Sequence, residues 1–335
     1  MNSAYLRALV ESWKAFDWRA REEWLNAHPQ FAVNLDDVDL HFVHLRSQRE
    51  DAPAVIVMHG WPHTFALQLD FADLLPDFHV VVPSLPGFAF SSAYRGGEWS
   101  TERVGDTMHH LMTEVLGYSG YLTYGEDVSA NINDYLAARY PEHVTGIVVT
   151  HAHFPSKDER SAIPDPEVVA FFQRLADDAP DAGGYAHEQA TRPDTLAAGL
   201  NDSPAGLLAW IVEKLVEWSD TPPGDPQLLE RRISRERILT EVMIYWVTQS
   251  IGTSFQPYFE DNARPTITSP VTVPAAVYIQ RHEADYPETL ARRYYLDLRV
   301  FERLSEGGHF AIAEVPQAMA SRVREFAIRL GLLKT

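Results

Sequence analysis

Reactive side chains stand beside small residues at several separated points of this chain. The stretch Tyr124-Gly125-Glu126-Asp127-Val128-Ser129-Ala130 lies between an apolar run and an amphipathic one. A strand-to-helix elbow that exposes a nucleophile presses neighbouring backbone together and so needs small flanking residues. Gly125, Ser129 and Ala130 supply them, and the residue at the tip is Asp127. A carboxylate there can attack an sp3 carbon and form an ester. Aspartate is also a good helix N-cap, so its type alone reads equally well as the cap of a following helix. A serine esterase is excluded, because Ser129 lies beyond the tip.

Two further stretches tilt the reading towards chemistry. His59-Gly60-Trp61-Pro62 follows the apolar run Ala54 to Met58. A hydrolase elbow takes one oxyanion donor from the residue after the nucleophile and one from the loop after an early strand. Val128 and Trp61 hold those positions, and Trp61-Pro62 is a bond where a cis peptide is affordable. Otherwise the stretch is a strand-ending turn around a buried tryptophan. Gly307-Gly308-His309-Phe310 precedes the last amphipathic segment. One histidine among 14 carries little weight alone. His309 stands last in chain order, after Asp127 and a strand-end acid, which is the order of such a triad. The acid belongs in Arg281-His282-Glu283-Ala284-Asp285, where Glu283 and Asp285 compete to hold the imidazole tautomer.

The elements that must position these residues follow a β/α rhythm. Phe31 to Val33 and Leu40 to Leu45 read as strands joined at Asp36-Asp37. Ala54 to Met58, Phe78 to Val82, Tyr121 to Tyr124 and Gly146 to Thr150 are apolar runs suited to a sheet covered on both faces. Amphipathic stretches (Tyr5 to Trp24, Thr64 to Leu75, Thr101 to Leu116, Ser129 to Tyr140) fall before and between them. After Thr150 the rhythm breaks. Helical patterns at Glu167 to Leu175, Ala205 to Trp218 and Arg235 to Ser250 are interrupted at Pro180 to Gly184 and Thr221 to Asp225. Strands resume at Ala275 to Ile279 and Leu298 to Phe301, with helices from Pro287 and from Pro316 to Leu330. The expectation is an α/β-hydrolase fold with a mostly parallel eight-stranded sheet. Its expected parts are an N-terminal meander over 1–48, a core of 49–152 and 266–335, and a helical cap over 153–265.

Composition narrows the class. Of 335 residues 45% are hydrophobic and 11% aromatic, enough for a large core. A formal net charge of −19 repels a phosphate backbone or an anionic bilayer, so neither nucleic acid nor membrane is expected as a partner. The absence of cysteine removes disulfides, thiolate metal sites and cysteine nucleophiles. No ligand cluster or glycine-rich phosphate loop calls for a metal or organic cofactor. Arg7, Glu11 and Lys14 interrupt the first apolar pattern, which reads as neither signal peptide nor membrane span. A cytoplasmic enzyme is expected. The acidic surface leaves the oligomeric state open, a homodimer included.

With these motifs assembled, the chain resembles the microsomal-type epoxide hydrolases in their soluble bacterial form. The likeness runs from Phe16-Asp17-Trp18-Arg19-Ala20 through His59-Gly60-Trp61-Pro62 and Ser84-Leu85-Pro86-Gly87-Phe88 to Gly307-Gly308-His309-Phe310-Ala311. Its most specific part is Gly184-Tyr185-Ala186-His187 to Leu200-Asn201-Asp202-Ser203-Pro204. The resemblance implies Asp127 as nucleophile and His309 as general base. It implies Glu283, rather than Asp285, as the acid on the histidine. Tyr185 and Tyr258 are implied to bond the epoxide oxygen; without the resemblance each is an ordinary packing aromatic. The implied partners are a small apolar epoxide and water, in detoxification or secondary metabolism.

Departures and rivals remain. The family elbow is usually Gly-Gly-Asp-Trp-Gly, and Glu126, Val128 and Ser129 replace its flanking residues here. Glu126 would raise the Asp127 pKa if the two faced each other. The start near Tyr5 is read as lacking a membrane-anchor helix. A haloalkane or haloacid dehalogenase would share Asp127 and the His–acid pair, but a halide wants Trp or Asn N–H donors where an epoxide wants phenols. A non-catalytic binding protein on a hydrolase scaffold is the rival outside enzymes, and fold alone does not exclude it.

Overall fold

A computed structural model describes residues 2–261 and 269–334. The Asp36-Asp37 turn has positive φ at both residues, 50° and 66°, the geometry that suits the twist of a two-residue hairpin. It joins β1 (Gln30–Leu35) to β2 (Val38–Leu45) in antiparallel register, with Leu35 opposite Val38. The apolar runs become β3 (Ala54–Met58), β4 (His79–Pro83), β5 (Tyr121–Gly125), β6 (Val144–Val149), β7 (Val271–Ile279) and β8 (Tyr295–Arg303). Every residue of β3, β4 and β5 is buried, as continuous apolar strands require. The sheet order is β1-β2-β4-β3-β5-β6-β7-β8, and β2 alone runs against the rest. This is the expected eight-stranded, mostly parallel α/β-hydrolase sheet.

Helices fill the intervals. The single N-terminal pattern splits into α1 (Ser3–Lys14) and α2 (Trp18–Asn26), because Asp17 caps the second by accepting the Ala20 N–H. α3 (Phe65–Ala72) follows β3, and α4 (Thr101–His110) continues into a π-helical turn, Leu111–Val115. α5 (Val128–Arg139) follows β5. Between β6 and β7 come α6 (Lys157–Ser161), α7 (Pro166–Ala182), α8 (Gly184–Thr191), α9 (Pro193–Asp202), α10 (Pro204–Trp218) and α11 (Arg235–Thr248). α12 (Glu288–Tyr294), α13 (Ala311–Glu314) and α14 (Pro316–Arg329) complete the order.

Two details of the helical insertion differ from expectation. The break at Pro180 to Gly184 shrinks, since α7 runs to Ala182. Pro180 falls in its last turn. α8 and α9 carry no apolar stripe in the sequence, and their buried residues are Gln189, Ala197 and Leu200. The expected return to the sheet at 265–266 lies outside the described residues. α1 and α2 pack on this insertion: Arg21 Nε donates to Thr240 Oγ1 on α11 at 2.8 Å, and Trp13 meets Trp246 edge-on.

Candidate active site

Asp127 sits at the C-terminal end of the central strand β5 with φ 55° and ψ −124°. This left-handed backbone is costly for a residue with a Cβ and belongs to a tight strand-to-helix elbow. Asp127 makes no side-chain capping bond to α5, so the cap reading of this residue fails. Close packing explains the small neighbours. A Cβ on Gly125 would lie 2.3 Å from the Ser129 carbonyl oxygen, and one on Gly60 would lie 2.4 Å from Asp127 Cβ. Ser129 Oγ accepts the Glu126 N–H at 3.0 Å and donates to the Met58 carbonyl at 2.9 Å, tying the elbow to β3.

The Asp127 carboxylate is held on both sides. Oδ1 accepts the Trp61 N–H at 2.8 Å, and Oδ2 lies 3.1 Å from His309 Nε2. Burial alone would raise its pKa. The hydrogen bond and charge of His309, with the backbone N–H groups of Trp61 and Val128, outweigh that and hold it below the ordinary value. His309 moves the other way. Burial lowers its pKa, but Asp127 at hydrogen-bond distance and the charges of Glu126 and Glu283 raise it overall. Of the two donors expected from sequence, Trp61 donates to the elbow carboxylate, and the Val128 N–H lies near enough to help lower its pKa.

The histidine loop is shaped by glycine and by the end of α10. Gly307 has φ 90°. A Cβ on Gly308 would fall 2.5 Å from the Trp218 carbonyl oxygen, the atom that accepts the His309 N–H at 2.8 Å. The Trp218 indole lies over the imidazole, with centroids 4.9 Å apart. Trp218 had no signal in the sequence beyond closing an amphipathic helix. Glu314 fastens the loop from α13, accepting the Phe310 and Asp220 N–H groups at 3.2 and 2.7 Å.

Tyr185 on α8 and Tyr258 are brought together above Trp61. Their ring centroids are 5.9 Å apart, and each phenol lies close enough to act on the titration of the other. The Trp61 ring stacks on Tyr185 at 5.4 Å and meets Tyr258 edge-on at 6.0 Å. Tyr258 lies in a π-helical turn, Pro257–Asp261, fastened to the start of α4 by Glu260 accepting the Trp99 N–H and Asp261 accepting the Thr101 hydroxyl. Burial raises both phenol pKa values, and the nearby Asp127 charge raises them further. Both phenols thus stay protonated, as donors.

Comparison with known proteins agrees with this geometry. The family pattern described as "Epoxide hydrolase N terminus" matches residues 1–67, and the "alpha/beta hydrolase fold" pattern matches 53–187. Epoxide hydrolase 1 of Sus scrofa is 30% identical, over 99% of this chain and 81% of its own length. The crystal structure of juvenile hormone epoxide hydrolase from Bombyx mori superposes with a TM-score of 0.86 at 27% identity, covering 100% of this chain and 87% of that one. The Aspergillus niger epoxide hydrolase gives 0.84 at 28% identity, covering 98% and 86%. The chain belongs to the epoxide hydrolase family.

Two features of this epoxide hydrolase chain depart from the sequence reading. Asp285 is engaged at the surface in a two-pronged ion pair with Arg174, both contacts at 2.7 Å, which removes it as the acid. Glu283 is pushed up to about 7, chiefly by burial, against the pull of the His309 and Arg174 charges. Its Oε2 has no hydrogen-bond partner among the described residues. The atom on His309 Nδ1 is instead Nε2 of His151, at 3.0 Å. His151 stands two residues past β6, at the sheet edge where α/β sites gather, and that position was its only signal. Glu126 does not face Asp127: its carboxylate turns to His63 at 2.8 Å and Tyr124 at 2.6 Å. The condition under which Glu126 would raise the Asp127 pKa is therefore not met.

Proposed function

We propose that this chain opens an apolar epoxide to a vicinal diol through an ester on Asp127. The observation that carries the reading is the two-sided hold on one carboxylate, with the Trp61 N–H on Oδ1 and His309 on Oδ2, beside two phenols in edge-on contact. Asp127 attacks a ring carbon; a C–O ester bond forms, the ring C–O bond breaks, and its electron pair goes to the ring oxygen. Tyr185 and Tyr258 donate to that oxygen as it takes on alkoxide character. A water then attacks the Asp127 carbonyl carbon and gives its proton to His309 Nε2. The Trp61 and Val128 N–H groups receive the oxyanion. Collapse expels the diol oxygen, which takes up a proton, and restores the carboxylate. The helices between residues 153 and 265 serve as a cap that carries the two phenols, and Glu283 supports His309 by its charge.

One observation favours the dehalogenase reading: the Trp61 indole Nε1 is buried without a partner, and such an N–H can hold a halide. A direct comparison decides between them. Purified enzyme is given aryl and alkyl epoxides and matched haloalkanes, and diol and halide are measured. A single turnover on the epoxide in oxygen-18 water should place the label in the Asp127 carboxylate. Label appearing first in the diol would make Asp127 a general base rather than a nucleophile.

A further inference from the structure

A chain of hydrogen bonds leaves His309 on the side away from Asp127 and runs through the interior. His309 Nδ1 lies 3.0 Å from His151 Nε2, and His151 Nδ1 lies 3.3 Å from Thr150 Oγ1. Thr150 Oγ1 is 3.1 Å from Tyr124 Oη, which donates to Glu126 Oε2 at 2.6 Å. His151, Thr150, Tyr124 and Glu126 are all buried. We infer that Glu126 is the acid that orients His309, acting as a positioning residue through Tyr124, Thr150 and His151. The inference rests on the reaction proposed above.

Donor and acceptor capacity fixes the direction of the chain. A carboxylate only accepts, so the one Tyr124 proton goes to Glu126 and the Tyr124 oxygen must accept from Thr150. The Thr150 proton is then spent, and its oxygen accepts from His151 Nδ1–H. That leaves His151 Nε2 bare. His309 must therefore donate to it from Nδ1. The Asp127 carboxylate likewise only accepts, so in the resting enzyme His309 Nε2 donates to it. Once Asp127 is an ester, that proton is free to leave for the ring-opened alkoxide, and Nε2 becomes the basic nitrogen. An acid four residues away along the wire thus sets the tautomer that ester hydrolysis needs.

The surroundings agree. Burial drives the His151 pKa well below its ordinary value, so this ring stays neutral and can accept. Burial, with Glu126 beside it, drives the Tyr124 phenol well up, so it keeps the proton it donates. The second Glu126 oxygen is held by His63 Nε2 at 2.8 Å and Gln68 Nε2 at 3.4 Å. Glu283 lies close enough to act on the His309 charge, but it makes no bond to Nδ1 that would choose a tautomer.

The test separates the two half-reactions. Single-turnover rates of ester formation and ester hydrolysis are measured for wild type, Thr150→Val, Thr150→Ser and Tyr124→Phe. Valine matches threonine in shape and cuts the wire, serine preserves it, and phenylalanine cuts the link to Glu126. The hydrolysis-to-alkylation ratio should fall roughly tenfold or more in both cut variants and recover in Thr150→Ser. General loosening of the fold would lower both rates together and leave the ratio unchanged. A ratio within about twofold of wild type in either folded cut variant, or a Thr150→Ser ratio as low as that of Thr150→Val, would overturn the inference. Either cut decides alone, so misfolding of one leaves the other to answer. Wild type that forms no Asp127 ester would sink the proposed reaction, and this inference with it.

Discussion

His309 Nδ1 lies 3.0 Å from His151 Nε2, while half-buried Glu283, the acid expected there, leaves a buried Oε2 without a hydrogen-bond partner among the described residues. Glu283 therefore reaches the imidazole by charge alone, and that charge raises the His309 pKa. Glu283→Gln should lower the His309 pKa and move the acid limb of the hydrolysis rate to lower pH. The fall in rate at neutral pH should be roughly tenfold, short of the ~10⁴ lost with a directly bonded triad acid. Asp285→Asn, at the surface with Arg174, should stay within about twofold of wild type. Stopped-flow pH profiles of the three proteins check both statements.

The two phenols share one task and can partly cover for each other. Tyr185→Phe or Tyr258→Phe should each slow ester formation roughly tenfold, about the loss of one hydrogen bond to a growing charge. The double variant should lose on the order of 10³-fold or more. Hydrolysis of an ester already formed should be little changed, because the phenols act before it. Single-turnover rates on one epoxide measure this. A double variant with full activity on epoxides would remove both residues from the reaction.

Removal of the base should divide the cycle. His309→Gln protein mixed with a reactive epoxide is expected to gain the mass of one substrate and hold it. Proteolysis and mass spectrometry should place the adduct on Asp127. The Asp127 pKa will rise in this variant, since its hydrogen bond from His309 is part of what holds it down. Ester formation should therefore weaken towards acid pH more than in wild type.

A last prediction concerns stability. Glu241 on α11 is buried and accepts the Thr64 N–H at 2.6 Å, and burial pushes its pKa up to about 7 from an ordinary 4.5. The folded state binds this proton more tightly than the unfolded one. The stabilisation is complete below pH 4.5 and is lost as the pH rises through 7. Glu241→Gln keeps an acceptor for Thr64 and cannot ionise. Its stability relative to wild type should rise between pH 5 and 8 by about 3 kcal/mol at most. Urea denaturation at the two pH values checks it.

The sheet was legible because β3 is a short, wholly apolar run and β4 and β5 are largely so, and the hairpin because Asp36-Asp37 can adopt positive φ. Asp127, His309 and Trp61 were legible because each needs glycine close by for backbone reasons. α8 and α9 were not legible, since of their buried residues Gln189, Ala197 and Leu200 only one is a large apolar side chain, too few to mark a stripe. His151 was hidden for a different cause. Its place is set by β6 ending beside the histidine loop, a contact across 158 residues of chain, and nothing local to Thr150-His151-Ala152-His153 records it. Glu126 could be noticed as unusual, but which way its side chain turned depended on His63 and Tyr124.

The docking of α1 and α2 on α10 and α11 also bears on the order of events at the ribosome. The bond from Arg21 to Thr240 spans 219 residues, so α1 and α2 bury their apolar sides against a part of the insertion synthesised long after them. At ordinary translation speeds that is a wait of on the order of ten to forty seconds. Until then Leu9 and Trp13 have no surface to cover them, and the emerging chain carries an open apolar face. The docking of α1 and α2 therefore waits for α11, and a nascent chain stalled before residue 240 would be a natural client for chaperones.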